Sequence, residues 1–590
     1  MYTIDFETKA IQKGSPLSPK PVGVSIKHGS LKSRYFAWGH PTENNCNYND
    51  AKEALTVVSN PEFEVVMHNA KFDARIIMEW FNIPILATMH DTMVMAFLAY
   101  PYEQSLCLKY LAQKYLGMEP DEQLELRDWI VKHVKGATVK NWGAYISYGP
   151  GSLVGKYAGA DTDMTHGLYL KLKEVIDAQS MQTAYRLEMD LVPVFIEMEK
   201  FGVPIADNIN EALKFWTRRF DDGEEYLKSV VGDIKLGGKA MFNKLRVDGY
   251  INEDNITYTD KGNPQYGRAL LPNLISDEKL RTVLEHRSKL QKVIGTYLNP
   301  WADAYNKDGR FFPYFNQTRG EEFGGTRTGR VSSDLQQIPA FYDPTTTVVP
   351  NLRTFIVPEK GHVLLKRDYS AQEIRVAAHY AEGSILQAYQ NDPLLDVHTF
   401  VKGLILDKTG WDLQRPIVKA ISFLKLYGGG PRRLMDTIEC SFSEAAGFFD
   451  AYNKALPEFL QLTKDVEAQV KNGIMLRTWG GRLYDVEPGK HIKGIWREFY
   501  YKLVNTLIQG SSADMSKTAM KRYHYHPDRK GRILLVVHDE IIVTCPKERI
   551  HEEMKLLKWA MEEIPGWDVP LISDAKIGHT FGDLEEYHGV

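Results

Sequence analysis

Residues 533–545 read ILLVVHDEIIVTC, two runs of largely β-branched apolar residues separated only by His538, Asp539 and Glu540. Such runs have the composition of strands half buried in a sheet. So short a break leaves room only for a tight hairpin with three polar side chains at its tip. A fold of this chain must bury both strands and still leave that tip at an edge. A polar turn accounts for His-Asp-Glu taken alone. A second acid placed to share a metal ion with the tip would change that account.

GHVLLKRDYSAQEIRVAAHYA, residues 361–381, holds such an acid. Val363 to Leu365 predict a strand that ends at Asp368, and a helix starts near Ser370. Ser370-x-x-Glu373 has the form of a capping box, in which Glu373 satisfies a free backbone N–H. Asp368 closing one strand and Asp539 at the turn of another can meet if the strands are neighbours. A cation would then relieve their repulsion.

Between these acids lies RPIVKAISFLKLYGGG. Pro416 suits a first helical turn, and Gly428 to Gly430 end the helix. Arg415, Lys419, Phe423 and Tyr427 recur every fourth residue and so share a slowly drifting face. That face is cationic at the N-terminal end, where the helix dipole also favours a polyphosphate, and aromatic at the other end, where a base can stack. The ligand implied is a nucleoside triphosphate. Upstream, FNQTRGEEFGGTRTGRVSS intersperses glycines 320, 324, 325 and 329 among Arg319, Arg327 and Arg330. A loop of that composition suits phosphates or base edges, and a solvated surface loop has the same composition. The segment LEMDLVPVFIEMEKFGVPI predicts a helix ending at Gly202, and LEHRSKLQKVIGTYLNPW another, with Arg287, Lys289 and Lys292 offering positive charge.

The first third carries four more acids. YTIDFET alternates as a strand does, which puts Asp5 and Glu7 on one face. VVMHNAKFDAR follows with Asn69, Phe72 and Asp73, and a helix through VGKYAGADTDM places Tyr157 and Asp161 on one face. Asp91 stands just ahead of an apolar helix, where an N-cap explains it.

The chain has 590 residues, a length that predicts about four domains. Its 72 basic and 76 acidic residues balance to a net charge of −4, which argues neither for nor against nucleic acid, since a groove needs only local charge. Cys46, Cys107, Cys440 and Cys545 form no CxxC pair, so a reducing compartment fits. The chain opens MYTIDFET with no apolar leader, and no apolar run reaches the ~20 residues a membrane helix needs. A cytoplasmic enzyme without a membrane anchor is expected.

The order Asp-x-Glu, Asn-x-x-Phe-Asp, Tyr-x-x-x-Asp resembles the 3′→5′ proofreading exonucleases of ribonuclease H-like fold. Together with TRTGRVSS, RDYSAQEIR, the Arg-Lys-Phe-Tyr-Gly helix, NTLIQGSSAD and VVHDE, it resembles the family A DNA polymerases over nearly the whole chain. The resemblance implies an α/β and α+β multidomain fold. An exonuclease domain at 1–175 would precede a right-hand polymerase domain at 176–590, with thumb about 201–309, fingers about 384–495, and palm about 310–383 and 496–590. No 5′-nuclease segment precedes the first motif, which points to the phage-type arrangement, in the cytoplasm of a bacterial host.

By the same resemblance, Asp5, Glu7, Asp73 and Asp161 hold exonuclease metals and Tyr157 orients the attacking water. Asp368, the Tyr369 carbonyl and Asp539 hold polymerase metals, with Glu540 and His538 beside them. Mg2+, two per active site, is implied, with Mn2+ an acceptable substitute. Arg415 and Lys419 neutralise the triphosphate, Phe423 and Tyr427 position base and template, and Glu373 excludes the ribose 2′-hydroxyl. Arg330, Asn505 and Gln509 touch the minor groove near the primer terminus. The partners implied are primer-template DNA and dNTPs, bound by a monomer. A processivity factor or helicase is compatible with the chain, but no segment indicates one. Asp334 stands where the family commonly has Asn, and Tyr501 where bacterial relatives commonly have Arg. Two alternatives remain: a single-subunit RNA polymerase-like enzyme, against which Glu373 and the exonuclease motifs argue, and a non-catalytic nucleic-acid-binding scaffold, which would have lost some of the carboxylates.

Overall fold

The computed structural model describes residues 1–12, 14–259, 261–267, 270–319, 325–339, 348–492 and 494–589. Its first strand, β1 (Tyr2–Thr8), buries Ile4 and Phe6 on one face and turns Asp5 and Glu7 to the other. β2 (Pro21–His28) and β3 (Arg34–Ala37) extend the sheet antiparallel. β4 (Glu64–Met67) and β5 (Thr88–Asp91) extend it parallel on the far side, giving the order β3-β2-β1-β4-β5. Helices α1 (Ala70–Trp80), α2 (Thr92–Ala99), α3 (Leu108–Leu116) and the long α4 (Gly151–Ala178) cover it. Asp91 caps α2 as expected, accepting from the Met93 N–H at 2.8 Å. The same carboxylate accepts the Asn69 and Ala70 N–H groups at 3.0 and 2.8 Å, so it also fixes the start of α1.

α5 (Gln182–Phe201) is the wall shared by both halves of the molecule. It ends at Gly202, whose φ of +69° favours glycine and where an added Cβ would stand 2.7 Å from the Phe312 ring. Beyond it β6 (Val203–Pro204) pairs with β7 (Arg310–Phe311) and closes a neck. From that neck project α6 (Ile209–Val231), α7 (Glu278–Val293) and α8 (Asn299–Asp308); α6 and α7 share a small core around Leu227, Phe242, Leu245 and Leu284, whereas α8 buries Trp301 in the main core. Arg287 on α7 is engaged by Glu224, so it offers less free charge than the sequence predicts.

The rest of the chain runs through β8 (His362–Tyr369), α9 (Gln372–Ala381), α10 (Arg415–Leu426), the short hairpin of β9 (Leu476–Arg477) with β10 (Leu483–Tyr484), and α11 (Leu503–His524). It closes with β11 (Arg532–Val537), β12 (Glu540–Pro546), α12 (Ile550–Glu562), β13 (Ser573–Gly578) and β14 (Glu585–Glu586). These strands form an antiparallel sheet of order β11-β12-β8-β13-β14. The hairpin expected at residues 533–545 is β11 and β12.

One local expectation fails. α9 begins at Gln372, its cap position is Ala371 in the left-handed region (φ 52°, ψ 43°), and no side chain caps it. The Ser370 N–H is taken by the Ile572 carbonyl at 2.9 Å, across the sheet, so the capping box of Ser370 and Glu373 does not form.

Candidate active sites

In the N-terminal half, β1 supplies Asp5 and Glu7 and α4 supplies Asp161. Carboxylate oxygens of all three lie within 4.8 Å of one another. Asp73, on α1, stands beside them: it accepts the Phe6 N–H at 3.3 Å and feels the charges of Asp5 and Glu7. Loss of water contact pushes Asp5 up to about 7, although Lys109 opposes the shift. Glu7 and Asp73 are raised for the same first reason, and neighbouring carboxylates add to it. Tyr157, one turn before Asp161, has its phenol pushed up by desolvation and then by Glu7 and Asp5. The structure thus unites all five residues that the sequence singled out.

It also adds Lys109, which the sequence reading missed. This α3 side chain ion-pairs with Asp161 and lies 4.5 Å from the Tyr157 ring centroid. Burial lowers its amine to about 8 against the pull of Asp5 and Glu7. No local pattern marks Lys109, because only the packing of α3 on α4 brings it to the acids. The crowded carboxylates of Asp5, Glu7 and Asp161 form an all-oxygen donor set that fits a hard divalent cation.

In the other half, register builds the second site. Glu540 on β12 pairs directly with Asp368 on β8. Asp539 therefore lies at the hairpin tip beside Asp368, and its carbonyl accepts the Tyr369 N–H at 3.4 Å. His538 makes the turn with φ of 57°, a left-handed conformation that suits a two-residue hairpin, and its ring is exposed. Burial and then the Asp539 charge raise Asp368 to about 7, against Lys366. Asp539 is raised too, first by burial. Glu540 is engaged by Lys366 and lies 3.9 Å from Arg353. Lys366 also stands 3.4 Å from Asp368. Neither cation was read from the sequence. The signal for Lys366 was its position two residues before Asp368, on the same strand face.

α10 carries Arg415, Lys419 and Phe423, and Tyr427 follows at its end. The Phe423 and Tyr427 rings are stacked with centroids 6.5 Å apart. Arg415 is paired with Asp396 at 2.8 Å, whereas Lys419 makes no ion pair among the described residues. Glu373 is the hub of a cluster. Tyr427 donates to its Oε1 at 3.0 Å, Arg330 ion-pairs with the same oxygen, and Gln509 hydrogen-bonds Tyr427. Arg330 is thereby held on Glu373 rather than extended toward a groove. Asn505, one turn before Gln509 on α11, keeps a buried and unpartnered amide nitrogen. Gly325 and Gly329 have φ of +99° and +79°, while residues 320 and 324 of the same loop lie outside the described residues. Among the described residues no helix is long and apolar enough to cross a membrane.

Residues 220–583 match the family DNA polymerase family A, and residues 4–177 match a 3′-5′ exonuclease family. The chain belongs to DNA polymerase family A. It is 26% identical to DNA polymerase I of Pseudomonas aeruginosa over 90% of this chain and 56% of that one. It is 27% identical to DNA polymerase DpoZ of Vibrio phage phiVC8 over 80% of each. Its fold is similar to that of the POL domain of Pol1 from M. smegmatis, solved in complex with DNA primer-template and dNTP, with a TM-score of 0.77, 21% identity, and coverage of 98% and 96%. The chain spans less than two thirds of the bacterial relatives it matches, 48% of the Caldicellulosiruptor bescii enzyme and 62% of that of Borreliella burgdorferi. The exonuclease unit followed by a family A polymerase unit is the architecture that the sequence motifs implied.

Proposed function

We propose that this chain extends a DNA primer along a template with dNTPs and removes misincorporated 3′ ends with its exonuclease half, in phage-type replication within a bacterial host. The observation that carries the reading is the β8–β12 register, which sets Asp368 against Glu540 and beside Asp539. The second site, with Asp5, Glu7 and Asp161 in one cluster, supports the proofreading half. The exonuclease domain is assigned to 1–175 and the polymerase to 176–590. Within the latter, α6 to α8 are the thumb, about 201–309. The span 384–495, with α10, is the fingers, and 310–383 with 496–590 is the palm.

Asp368, Asp539 and the Tyr369 carbonyl would hold Mg2+ in the polymerase, and Asp5, Glu7, Asp73 and Asp161 in the exonuclease. Bound divalent cations supply activation of the attacking oxygen and neutralisation of the leaving one. The chain's own groups do the rest. Lys419, free of a carboxylate, and Arg415, by exchanging Asp396 for phosphate, neutralise the triphosphate. Phe423 and Tyr427 seat the base against the template. Glu373, fixed from both sides by Arg330 and Tyr427, crowds the 2′ position of the sugar. Asn505 and Gln509 face the primer-template minor groove, and Arg330 joins them when it leaves Glu373. His538 stands at the rim of the metal site, Glu540 holds Lys366 in place, and Tyr157 orients the water that attacks in the exonuclease. The protein acts as a monomer.

Asp5→Ala with Glu7→Ala should remove degradation of single strands by more than about 100-fold, beyond what outer-shell metal-site changes cost, and leave extension intact. Asp539→Ala should do the reverse. Loss of both activities in either folded variant would refute two separate sites. Extension with ribonucleotides as readily as with deoxynucleotides would favour the RNA polymerase alternative.

A further inference from the structure

We infer that Tyr102, a residue of the exonuclease half, is a positioning residue that sets how a primer terminus divides between the two active sites. The inference rests on the assignment of both sites above. Tyr102 lies in the loop between α2 and α3, and that loop is firmly built. The Glu103 carboxylate accepts from Tyr110 at 2.7 Å, from Lys114 at 2.7 Å and from Tyr115 at 2.5 Å. Tyr100 stacks on Tyr115 with centroids 4.4 Å apart. With its neighbour Glu103 so anchored, Tyr102 is delivered outward in one direction, against the core of the polymerase half.

Two contacts define what it does there. Its hydroxyl lies beside Thr506, which directly follows Asn505 on α11 and is itself tied to the Lys502 carbonyl at 3.1 Å. Its ring lies 5.5 Å from the guanidinium of Arg327, in the loop that also carries Arg330. Arg327 makes no ion pair among the described residues, and its own carbonyl is pinned by the Tyr484 hydroxyl at 3.0 Å. One exonuclease side chain thus touches both polymerase segments assigned to the primer end. Other contacts that cross the same seam include those of Lys71 with Glu199 and of Thr318 with Met93. Neither of these involves a residue assigned to DNA.

A guanidinium facing an aromatic ring can be claimed by a phosphate instead. While Tyr102 holds Arg327, the polymerase half grips the primer strand less tightly, and part of the bound population places its 3′ end in the exonuclease. A contact present in one bound state and absent in the other shifts their ratio by its differential strength. Removing the ring frees Arg327 for the DNA backbone and favours the polymerase-bound state.

The test uses the full chain and a matched primer-template carrying 2-aminopurine at the primer terminus, whose fluorescence reports the unpaired, exonuclease-bound end. Tyr102→Ala should lower the exonuclease-bound fraction and the ratio of excision to extension about three- to tenfold. Its rate on single-stranded DNA and its single-turnover incorporation should stay at the parent values. Tyr102→Phe keeps the ring and loses the hydroxyl, and should fall between the parent and Tyr102→Ala. An unchanged or increased ratio in folded Tyr102→Ala, or in Tyr102→Phe should the alanine variant not fold, overturns the inference alone. Absence of extension or excision by the parent chain overturns the site assignments with it.

Discussion

Asp5 and Asp368 sit in different halves of the molecule under the same electrostatic load. Each is pushed to about 7, chiefly by burial. An unfolded Asp ionises near 3.8, so between about pH 4 and 7 the metal-free folded chain holds more protons than the unfolded one. Stability should therefore fall as pH rises through that window and level off above it. Divalent cations bind the ionised carboxylates of the folded state only, which reverses the loss. Melting of the metal-free protein should show a lower midpoint at pH 8 than at pH 5. Added Mg2+ should raise that midpoint more at pH 8. Equal metal-induced shifts at both pH values would contradict this. Glu373 gives a second prediction at this scale. Because α9 has no side-chain cap, Glu373→Ala costs the ion pair with Arg330 rather than a helix terminus. It should weaken selection against ribonucleotides roughly ten- to hundredfold, the scale on which a pocket rejects one small group. Competitive incorporation in an Asp5→Ala, Glu7→Ala background measures it, and unchanged selection would leave Glu373 a structural role only.

Among the elements, those read from local pattern are where they were expected. The β11–β12 hairpin, β8 with Asp368 one residue before its end, and α10 with Pro416 in its first turn each follow from spacing within a dozen residues. The start of α9 did not, because its backbone is claimed by Ile572, some two hundred residues away. The arginine loop shows the same dependence on distant partners. Gly329 has φ of +79°, and a Cβ there would stand 2.9 Å from the buried Arg482 guanidinium. Gly329→Ala should cost about 1–2 kcal/mol for the left-handed backbone alone, with the contact adding to it. Urea denaturation would read the loss, and a cost below half a kilocalorie would mean that the loop repacks freely.

For the molecule as a whole, α5 joins what the two halves do separately. Near its C-terminal end, Glu199 accepts from Lys71 at 2.5 Å and from the Phe315 N–H at 2.8 Å, which locks the helix bearing Asp73 to the polymerase half. Nearer its start, Glu188 is buried with Arg482 and Lys517, and Arg482 reaches Asp514 at 2.6 Å. Burial would raise the Glu188 carboxyl, but Lys517 and Arg482 together hold it down at about 2. Four buried charges thus connect α5, the β9–β10 hairpin and α11. Arg482→Met leaves two carboxylates with Lys517 alone, and breaking a buried pair in this way costs about 3–5 kcal/mol. Denaturant unfolding should show that loss, together with weaker extension as α11 loosens. A near-neutral effect would mean that the network is not what holds α5 to α11.

The sequence by itself determined the chemistry and its order along the chain. The alternation of β1, the apolar hairpin around Asp539 and the four-residue spacing on α10 are local periodicities, and each assigns a side chain to a face without knowledge of the rest. Only the tertiary structure decided which groups answer those acids. Lys109 reaches Asp161, Lys366 and Arg353 reach Glu540, and Arg330 and Tyr427 meet on Glu373 through contacts between elements far apart in the chain. The physical reason is that a buried carboxylate must find a countercharge wherever packing can supply one, and packing depends on every element at once.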